Sequence, residues 1–215
     1  MDYQAVLFDL DGTLLNTLDD LADCMNRVLG RLGYAAHPVE DYRYFVGDGM
    51  EMLAARALPS GLSQEKVIQC SDAMKKEYDL HWADKTRPYP GISQLLDGLM
   101  QRQIKLAVLS NKPDPFTKDI ISTFLSKWHF HPVIGARPGV PKKPDPAVAL
   151  EIAKDLKILP EQFLYLGDTN TDMKTAVAAG MFPVGVLWGF RTAEELMASG
   201  ANLLLHNPPE LMKFL

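Results

Sequence analysis

Four short polar segments carry most of the residues that could do chemistry in this sequence, and acidic side chains dominate them. They are Asp9-Leu10-Asp11-Gly12-Thr13, Ser110-Asn111-Lys112, Lys142-Lys143-Pro144-Asp145, and Gly167-Asp168 followed by Asp172. Carboxylates beside a hydroxyl and a lysine, with no His or Cys among them, are typical of a site for a hard cation such as Mg²⁺. Carboxylates 4 Å apart repel by about 4 kcal/mol at an effective dielectric near 20, so a cation or shifted pKa values must balance them.

Apolar runs predict the strands that position these segments. They lie at residues 5–8, 104–109, 133–134, 163–166, 183–187 and 203–205. From residue 89 onward, patterns typical of amphipathic helices lie between the runs. The alternation predicts an α/β fold, a doubly wound parallel sheet with a Rossmann-like core. Because ligands bind beyond the carboxyl ends of such strands, we expect the polar segments to meet in one crevice.

Residues 16–87 interrupt this alternation with helical patterns alone. The first predicted helix, over 18–32, has apolar residues at helical spacing and Thr17 in the position of an N-cap. A helical block directly after the first strand predicts a separate domain inserted into the core. We therefore predict a Rossmann-like catalytic core over 1–15 and 88–215 and an inserted all-helical cap domain over 16–87.

The polar segments resemble, in the same order along the chain, the motifs of the haloacid dehalogenase superfamily. Its first motif, Asp-x-Asp-x-Thr, corresponds to Asp9, Asp11 and Thr13. Its strand-end Ser and its Lys before a helix correspond to Ser110 and Lys143. Its Gly-Asp-x-x-x-Asp motif corresponds to the segment with Asp168 and Asp172. The helical block lies where the small-cap subgroup carries its cap, so the resemblance covers essentially the whole chain. The segments Asp19-Asp20-Leu21 and Val46-Gly47-Asp48-Gly49 are similar to the cap of phosphoglycolate phosphatases, although Asn16 stands where that group more often has Asp.

This resemblance implies a Mg²⁺-dependent phosphatase that hydrolyses a small phosphate monoester, with phosphoglycolate as the expected substrate, through an aspartyl-phosphate. It implies that Asp9 is the nucleophile and that Asp11 is the general acid and base. The other implied roles are phosphate binding by Ser110, Lys143 and the backbone N–H of Asn111; metal binding by Asp9, the Asp11 carbonyl and Asp168; orientation of the metal shell or Lys143 by Asp172; and substrate reading by Gly47, Asp48 and Gly49.

Other activities stay open at this point. A sugar-phosphate mutase similar to β-phosphoglucomutase and a pyrophosphatase belong to the same superfamily, and a non-catalytic phospho-accepting or interaction module is an alternative of a different class. Asp11 favours ester hydrolysis or phosphate transfer over dehalogenation, since a halide leaving group needs no proton. Where the mutases place a His on the first cap helix, this chain has Leu21.

Composition excludes two classes of partner. The chain of 215 residues has 22 Lys and Arg against 27 Asp and Glu, a net charge of −5, which argues against nucleic acid and anionic membrane surfaces as partners. No apolar run approaches the roughly 18–20 residues that span a bilayer. No basic and then apolar leader follows Met1, so we expect a cytoplasmic protein, either monomer or homodimer. Cys24 and Cys70 lie in helical patterns without CxxC spacing, which predicts reduced, packed thiols.

Overall fold

The computed structural model describes residues 2–215, which form eight strands and nine α-helices. In chain order the strands are β1 (Ala5–Phe8), β2 (Leu15–Asn16), β3 (Arg87–Pro88), β4 (Lys105–Pro113), β5 (Phe130–Ala136), β6 (Phe163–Gly167), β7 (Phe182–Val186) and β8 (Leu203–Leu205). The helices are α1 (Leu18–Arg31), α2 (Tyr42–Phe45), α3 (Met50–Ala57), α4 (Gln64–His81), α5 (Ile92–Gln101), α6 (Asp114–Phe124), α7 (Ala147–Leu156), α8 (Asn170–Ala179) and α9 (Ala193–Ala198).

Six of the strands form one parallel sheet in the order β5-β4-β1-β6-β7-β8. Strand β1 lies in the interior of this sheet between β4 and β6, and its four residues are fully buried, as expected for a parallel strand covered on both faces. Val6 and Phe8 pack with α5 and α6 on one face, whereas Ala5 and Leu7 pack with α7 and α8 on the other. The structure therefore confirms the predicted doubly wound α/β core.

Helices α1 to α4 pack around a second apolar cluster, which contains Leu21, Met25 and Tyr78 among its fully or almost fully buried members and also takes in Phe190. The two chain crossings between this block and the sheet are β2 and β3, which pair antiparallel. The buried carboxylate of Asp20 in α1 accepts hydrogen bonds from the backbone N–H of Lys85 and Thr86 and from the Thr86 hydroxyl. This carboxylate fixes the second crossing against the first helix of the block.

Local structure differs from the sequence prediction in several places. Strand β5 begins at Phe130 rather than at 133, and Asn16 and Arg87 lie in short strands although 16–87 was predicted to be all-helical. Thr17 stands at the N-cap position of α1, but its hydroxyl makes no cap bond and instead donates to Asp11 Oδ1 at 2.6 Å. Thr17 therefore occupies the predicted N-cap position, but its hydroxyl does not accept from the first N–H groups of the helix. Strand β4 continues through Ser110 to Pro113, with irregular register against β5 beyond Leu109, where the prediction ended it. Helix α9 was not predicted at all.

Cys24 and Cys70 are free and buried, as predicted. Burial raises the pKa of the Cys24 thiol to about 12, so that this group stays protonated and packs as a small apolar side chain. Within residues 2–215, no helix combines the length and the apolar character needed to cross a bilayer.

Candidate active site

Three buried carboxylates meet at the carboxyl ends of the central strands. Asp9 follows β1 directly, Asp168 follows β6 directly, and Asp172 lies in the first turn of α8. One oxygen of each lies within 4.8 Å of the others, and the three residues are at most 6% exposed. We call Asp9, Asp168 and Asp172 the acidic cluster. The sheet thus brings together three residues that lie up to 163 positions apart in sequence.

Glycines make room for this cluster. A Cβ placed on Gly12, whose φ is +85°, would lie 2.2 Å from Asp168 Oδ2, and one placed on Gly189 would lie 2.2 Å from Asp168 Cβ. A Cβ on Gly167 would lie equally close, 2.2 Å, to Asp172 Cβ. The carboxylates therefore pack against bare backbone, and any side chain at these positions would displace them.

The acidic cluster carries more negative charge than nearby groups of the protein offset. Burial, with a further contribution from the charge of Asp172, raises the pKa of Asp9 to about 7. Burial and then the charges of Asp9 and Asp172 hold the pKa of Asp168 well above its usual range. An all-oxygen donor set with excess negative charge is the chemistry that a hard divalent cation such as Mg²⁺ requires. The residues present therefore fit the metal that the superfamily resemblance implies.

The positively charged side chain of Lys143 contacts this cluster. It lies in the loop before α7, and its Nζ donates to Asp9 Oδ1 at 2.7 Å and to Asp172 Oδ1 at 2.6 Å. Burial lowers the pKa of Lys143, but the charges of Asp172 and Asp9 raise it more, so the side chain stays an ammonium. Asp172 Oδ2 in turn accepts from the backbone N–H and the hydroxyl of Thr169. Asp172 thus orients Lys143, while Asp9 Oδ2 accepts no hydrogen bond from any residue in 2–215.

Asp11 lies in a different environment from Asp9. Its Oδ1 accepts from Thr17 Oγ1 at 2.6 Å and from Lys112 Nζ at 3.0 Å. The Lys112 side chain is 1% exposed, and its Nζ lies 4.4 Å from the centre of the Tyr78 ring of α4. Sequence reasoning did not include Lys112 among the site residues, although its place directly after Ser110 and Asn111 was a signal for it.

Ser110 and Asn111 lie at the end of β4 beside Asp9. Ser110 Oγ accepts from the backbone N–H of Lys112 at 3.1 Å. The amide of Asn111 donates to the backbone oxygens of Gly47 and Lys143, and its Oδ1 accepts from the Lys143 N–H. The Asn111 side chain therefore connects two core segments to the cap, and its backbone contact to phosphate stays a prediction.

A small cavity of about 30 Å³ lies between these residues and the cap. The core contributes polar groups to its wall, namely Asp9, Asp11, Ser110, Asn111 and Lys112. The cap contributes Leu21, Val46, Gly47, Gly49, Met50 and Leu53. None of the cap residues in this wall has a side chain that can carry a proton.

The three cap residues proposed to read the substrate lie in two places. Gly47 and Gly49 line the cavity with positive φ angles of 122° and 91°. The Asp48 carboxylate lies outside the cavity wall, where it pairs with Arg56 and accepts from Thr171 Oγ1 of the core at 2.9 Å. Lys142, which lies in one of the polar segments of the sequence analysis but was given no role there, has its Nζ 3.4 Å from the position of a Cβ on Gly49.

Comparison with known proteins places the chain in a family. Residues 6–186 match the haloacid dehalogenase-like hydrolase family. A phosphoglycolate phosphatase from Psychrobacter arcticus is 34% identical over 205 residues, which cover 91% of this chain and 88% of the relative. A phosphoglycolate phosphatase from Aquifex aeolicus is 29% identical over 212 residues, which cover 99% of this chain and 96% of the relative.

The structure is also similar to a solved one. The crystal structure of a protein from Lactobacillus delbrueckii subsp. bulgaricus, provisionally named a phosphoglycolate phosphatase, matches with a TM-score of 0.92 at 29% identity. The match covers 100% of this chain and 98% of that chain. The chain is a member of the haloacid dehalogenase-like hydrolase family.

Proposed function

We propose that this protein is a Mg²⁺-dependent phosphatase that hydrolyses 2-phosphoglycolate, a small phosphate monoester, through an aspartyl-phosphate on Asp9. The observation that carries this proposal is the presence of two carboxylates with different surroundings at one small cavity. Asp9 lies among acidic groups and Lys143, whereas Asp11 lies between Thr17 and Lys112. Two carboxylates in different environments can take different roles in one reaction. The phosphatase names of the two sequence relatives support the same reaction class.

Asp9 is the nucleophile in this proposal. Lys143 holds Asp9 Oδ1 at 2.7 Å, which leaves Oδ2 free to attack phosphorus. The attack forms the bond between Asp9 and phosphorus and breaks the bond from phosphorus to the ester oxygen. Asp11, held by Thr17 and Lys112, gives a proton to the departing oxygen and then takes one from the water that cleaves the aspartyl-phosphate.

Asp9, Asp168 and the backbone carbonyl of Asp11 would hold Mg²⁺. When bound, the ion offsets the repulsion between the nucleophile and the phosphate dianion. Ser110 and Lys143 bind the phosphate oxygens, aided by backbone N–H groups after Asp9 and at Asn111. Fixed donors of this kind favour the charge that develops as the phosphoryl group is transferred.

The cavity wall supports hydrolysis rather than mutase chemistry. With room for roughly two water molecules, the cavity is smaller than any phosphate ester, so the cap must open further before a substrate of either kind enters. Leu21 occupies the position at which the mutases carry a His, and it lines the cavity. A cap wall without a proton-carrying side chain gives no group to hand a proton to or from a sugar hydroxyl.

Two features near Gly49 support a substrate with a carboxylate. Gly49 precedes α3, whose first backbone N–H groups and dipole favour an anion. The Lys142 side chain is exposed and outside the cavity wall, but its Nζ lies 3.4 Å from the position of a Cβ on Gly49 and has no hydrogen-bond or ion-pair partner among residues 2–215. A substrate with a carboxylate close to its phosphoryl group, such as phosphoglycolate, is the kind of ligand that these two features favour.

Phosphate release from a panel of substrates tests the proposal. We expect 2-phosphoglycolate to have the highest kcat/KM among phosphoglycolate, ethyl phosphate, glucose phosphate, a nucleoside monophosphate and pyrophosphate. Lys142→Met should lower kcat/KM for phosphoglycolate by about tenfold or more, since a charge-assisted hydrogen bond contributes about 1.5–3 kcal/mol. The same variant should leave ethyl phosphate, which lacks the carboxylate, almost unchanged.

Lys66→Met is the matched control: Lys66 of α4 is exposed and outside the cavity wall, as Lys142 is, but it is not among the groups beside Gly49. This variant should leave both substrates unchanged. Release of phosphate from no member of the panel would refute the phosphatase assignment. A preference for pyrophosphate or a sugar phosphate, or an equal loss on phosphoglycolate and ethyl phosphate in Lys142→Met, would refute the substrate assignment.

A further inference from the structure

One loop of the core is bound by the acidic cluster and by the cap at the same time. It follows β7 and precedes α9, and it consists of Trp188, Gly189, Phe190 and Arg191. We call residues 188–191 the bridging loop. None of the four belongs to a motif that the superfamily resemblance assigned above.

On its core side, the bridging loop holds Asp168. The backbone N–H of Phe190 donates to Asp168 Oδ2 at 2.9 Å, and both groups are buried. Trp188 Nε1 donates to the backbone oxygen of Thr13 at 2.9 Å. A Cβ on Gly189 would lie 2.6 Å from the backbone oxygen of Gly12, so the loop has no room to move closer. The loop thus fixes one oxygen of a carboxylate in the acidic cluster.

On its other side, the bridging loop packs against the cap. The Phe190 side chain belongs to the apolar cluster of α1 to α4, and the residue is only 4% exposed. The backbone oxygen of Gly189 accepts from Arg43 Nη1 at 2.9 Å. Arg191 donates to the backbone oxygens of Arg43 and, at 3.3 Å, Val46, and its guanidinium lies 4.8 Å from the centre of the Tyr44 ring.

Phe190 therefore contacts both the acidic cluster and the cap, since its N–H donates to Asp168 while its ring packs in the apolar cluster of α1 to α4. If the cap moves away from the core, either the ring enters water or the loop follows the cap. Exposing a buried aromatic ring costs about 1.5–3 kcal/mol, similar to the loss of a hydrogen bond to a charged group. Within residues 2–215, the cap side adds three hydrogen bonds, one from Arg43 to Gly189 and two from Arg191, whereas the core side has only those of Phe190 and Trp188. The loop is therefore expected to follow the cap, which withdraws the Phe190 N–H from Asp168.

We infer that Phe190 and Arg191 are positioning residues, which couple closure of the cap to the orientation of Asp168. Whatever binds Asp168 then favours the closed cap, and the closed cap favours that binding by the same factor. The inference rests on the proposed function in one respect, because Mg²⁺ is taken as the ligand of Asp168. Arg191 acts from the cap side only, since its hydrogen bonds go to cap carbonyls.

Binding of Mg²⁺ alone, measured by calorimetry without substrate, tests the coupling. Arg191→Met should weaken Mg²⁺ binding by roughly tenfold, within the 5- to 150-fold typical of coupling between sites. Arg191→Lys, which keeps the charge and one donor group, should recover part of the affinity. Arg43→Met, which removes the bond to Gly189 from the cap side, should weaken binding in the same direction.

Arg56→Met is the matched control. Arg56 is a cap arginine that donates to the Phe45 backbone oxygen and pairs with Asp48, and it makes no hydrogen bond to the bridging loop. Its loss should leave Mg²⁺ affinity unchanged. Hydrogen exchange gives a second measurement: Mg²⁺ should slow exchange of the amides of residues 43–50 in the unmodified protein, and less so in Arg191→Met.

The outcomes separate this inference from the proposed function. Equal Mg²⁺ affinity in the unmodified protein, Arg191→Met and Arg43→Met would overturn the coupling and leave the metal assignment intact. An equal loss in Arg56→Met would also overturn it, because any loosening of the cap would then suffice. No binding of Mg²⁺ by the unmodified protein would instead refute the proposed metal dependence.

Discussion

Replacing Asp9 by asparagine should remove turnover and, in the absence of metal, stabilise the folded protein increasingly as the pH rises. Asparagine is nearly isosteric with aspartate, so we expect the acidic cluster to keep its shape. The amide is a poor nucleophile, and phosphate release should therefore stop. The substitution also removes one of the buried negative charges that repel each other in the cluster.

The size of the effect follows from the pKa of Asp9, which burial and the charge of Asp172 raise from 3.8 to about 7. Between these two values the folded state binds more protons than the unfolded state, so the free energy of unfolding falls as the pH rises. At 1.36 kcal/mol per pKa unit, the destabilisation is about 2 kcal/mol at pH 5 and about 4 kcal/mol at pH 8. Asp9→Asn should lack this loss.

Urea denaturation in EDTA, followed by circular dichroism at pH 5 and pH 8, measures the effect. The stability of Asp9→Asn relative to the unmodified protein should increase by about 2–3 kcal/mol between these pH values. Contributions of the substitution that do not depend on pH cancel in this difference. Asp119→Asn, which changes an exposed aspartate of α6, is the matched control and should show almost no difference.

Addition of Mg²⁺ at pH 8 should stabilise the unmodified protein and reduce the advantage of Asp9→Asn, because the ion then offsets the same charge. A relative stability that is equal at pH 5 and pH 8 would refute the reasoning. So would a decrease toward pH 8, since that sign belongs to a carboxylate that the fold stabilises in its charged form.

Three further predictions concern the metal and the groups around it. EDTA should abolish phosphate release, and Mg²⁺ should restore it. Ca²⁺ should inhibit, because its coordination shell is larger and looser. Full turnover in EDTA would contradict the metal assignment. Gly189→Ala should weaken Mg²⁺ binding in calorimetry, since its Cβ would lie 2.2 Å from Asp168 Cβ, and an unchanged affinity would show that the backbone can yield there. Asp11→Asn should slow turnover. It should also lower the free energy of unfolding by about 3–5 kcal/mol, because it leaves the buried Lys112 ammonium without its carboxylate. A urea denaturation curve that matches that of the unmodified protein would contradict this pairing.

Local sequence patterns predicted the central sheet and the place of the polar segments. The run over 5–8 is apolar at every position, as a strand buried on both faces must be, and Asp9 follows at its end. Helix α9 was also predictable, since Thr192 and Glu195 form a capping box that the sequence displays. These features depend on residues within a few positions of each other, so one sequence carries enough information to predict them.

Only the tertiary structure decided how the side chains pair. Thr17 stands at the N-cap of α1, yet its hydroxyl makes no cap bond and instead donates to Asp11. Lys112 looks like a solvated lysine in sequence, yet the fold buries it against Asp11. In the sequence Phe190 resembles an ordinary core residue, and no residue near it in sequence indicates that its N–H donates to Asp168. A side chain's partner is set by competition among all groups that folding brings within hydrogen-bond distance, and that competition involves residues far apart in the chain.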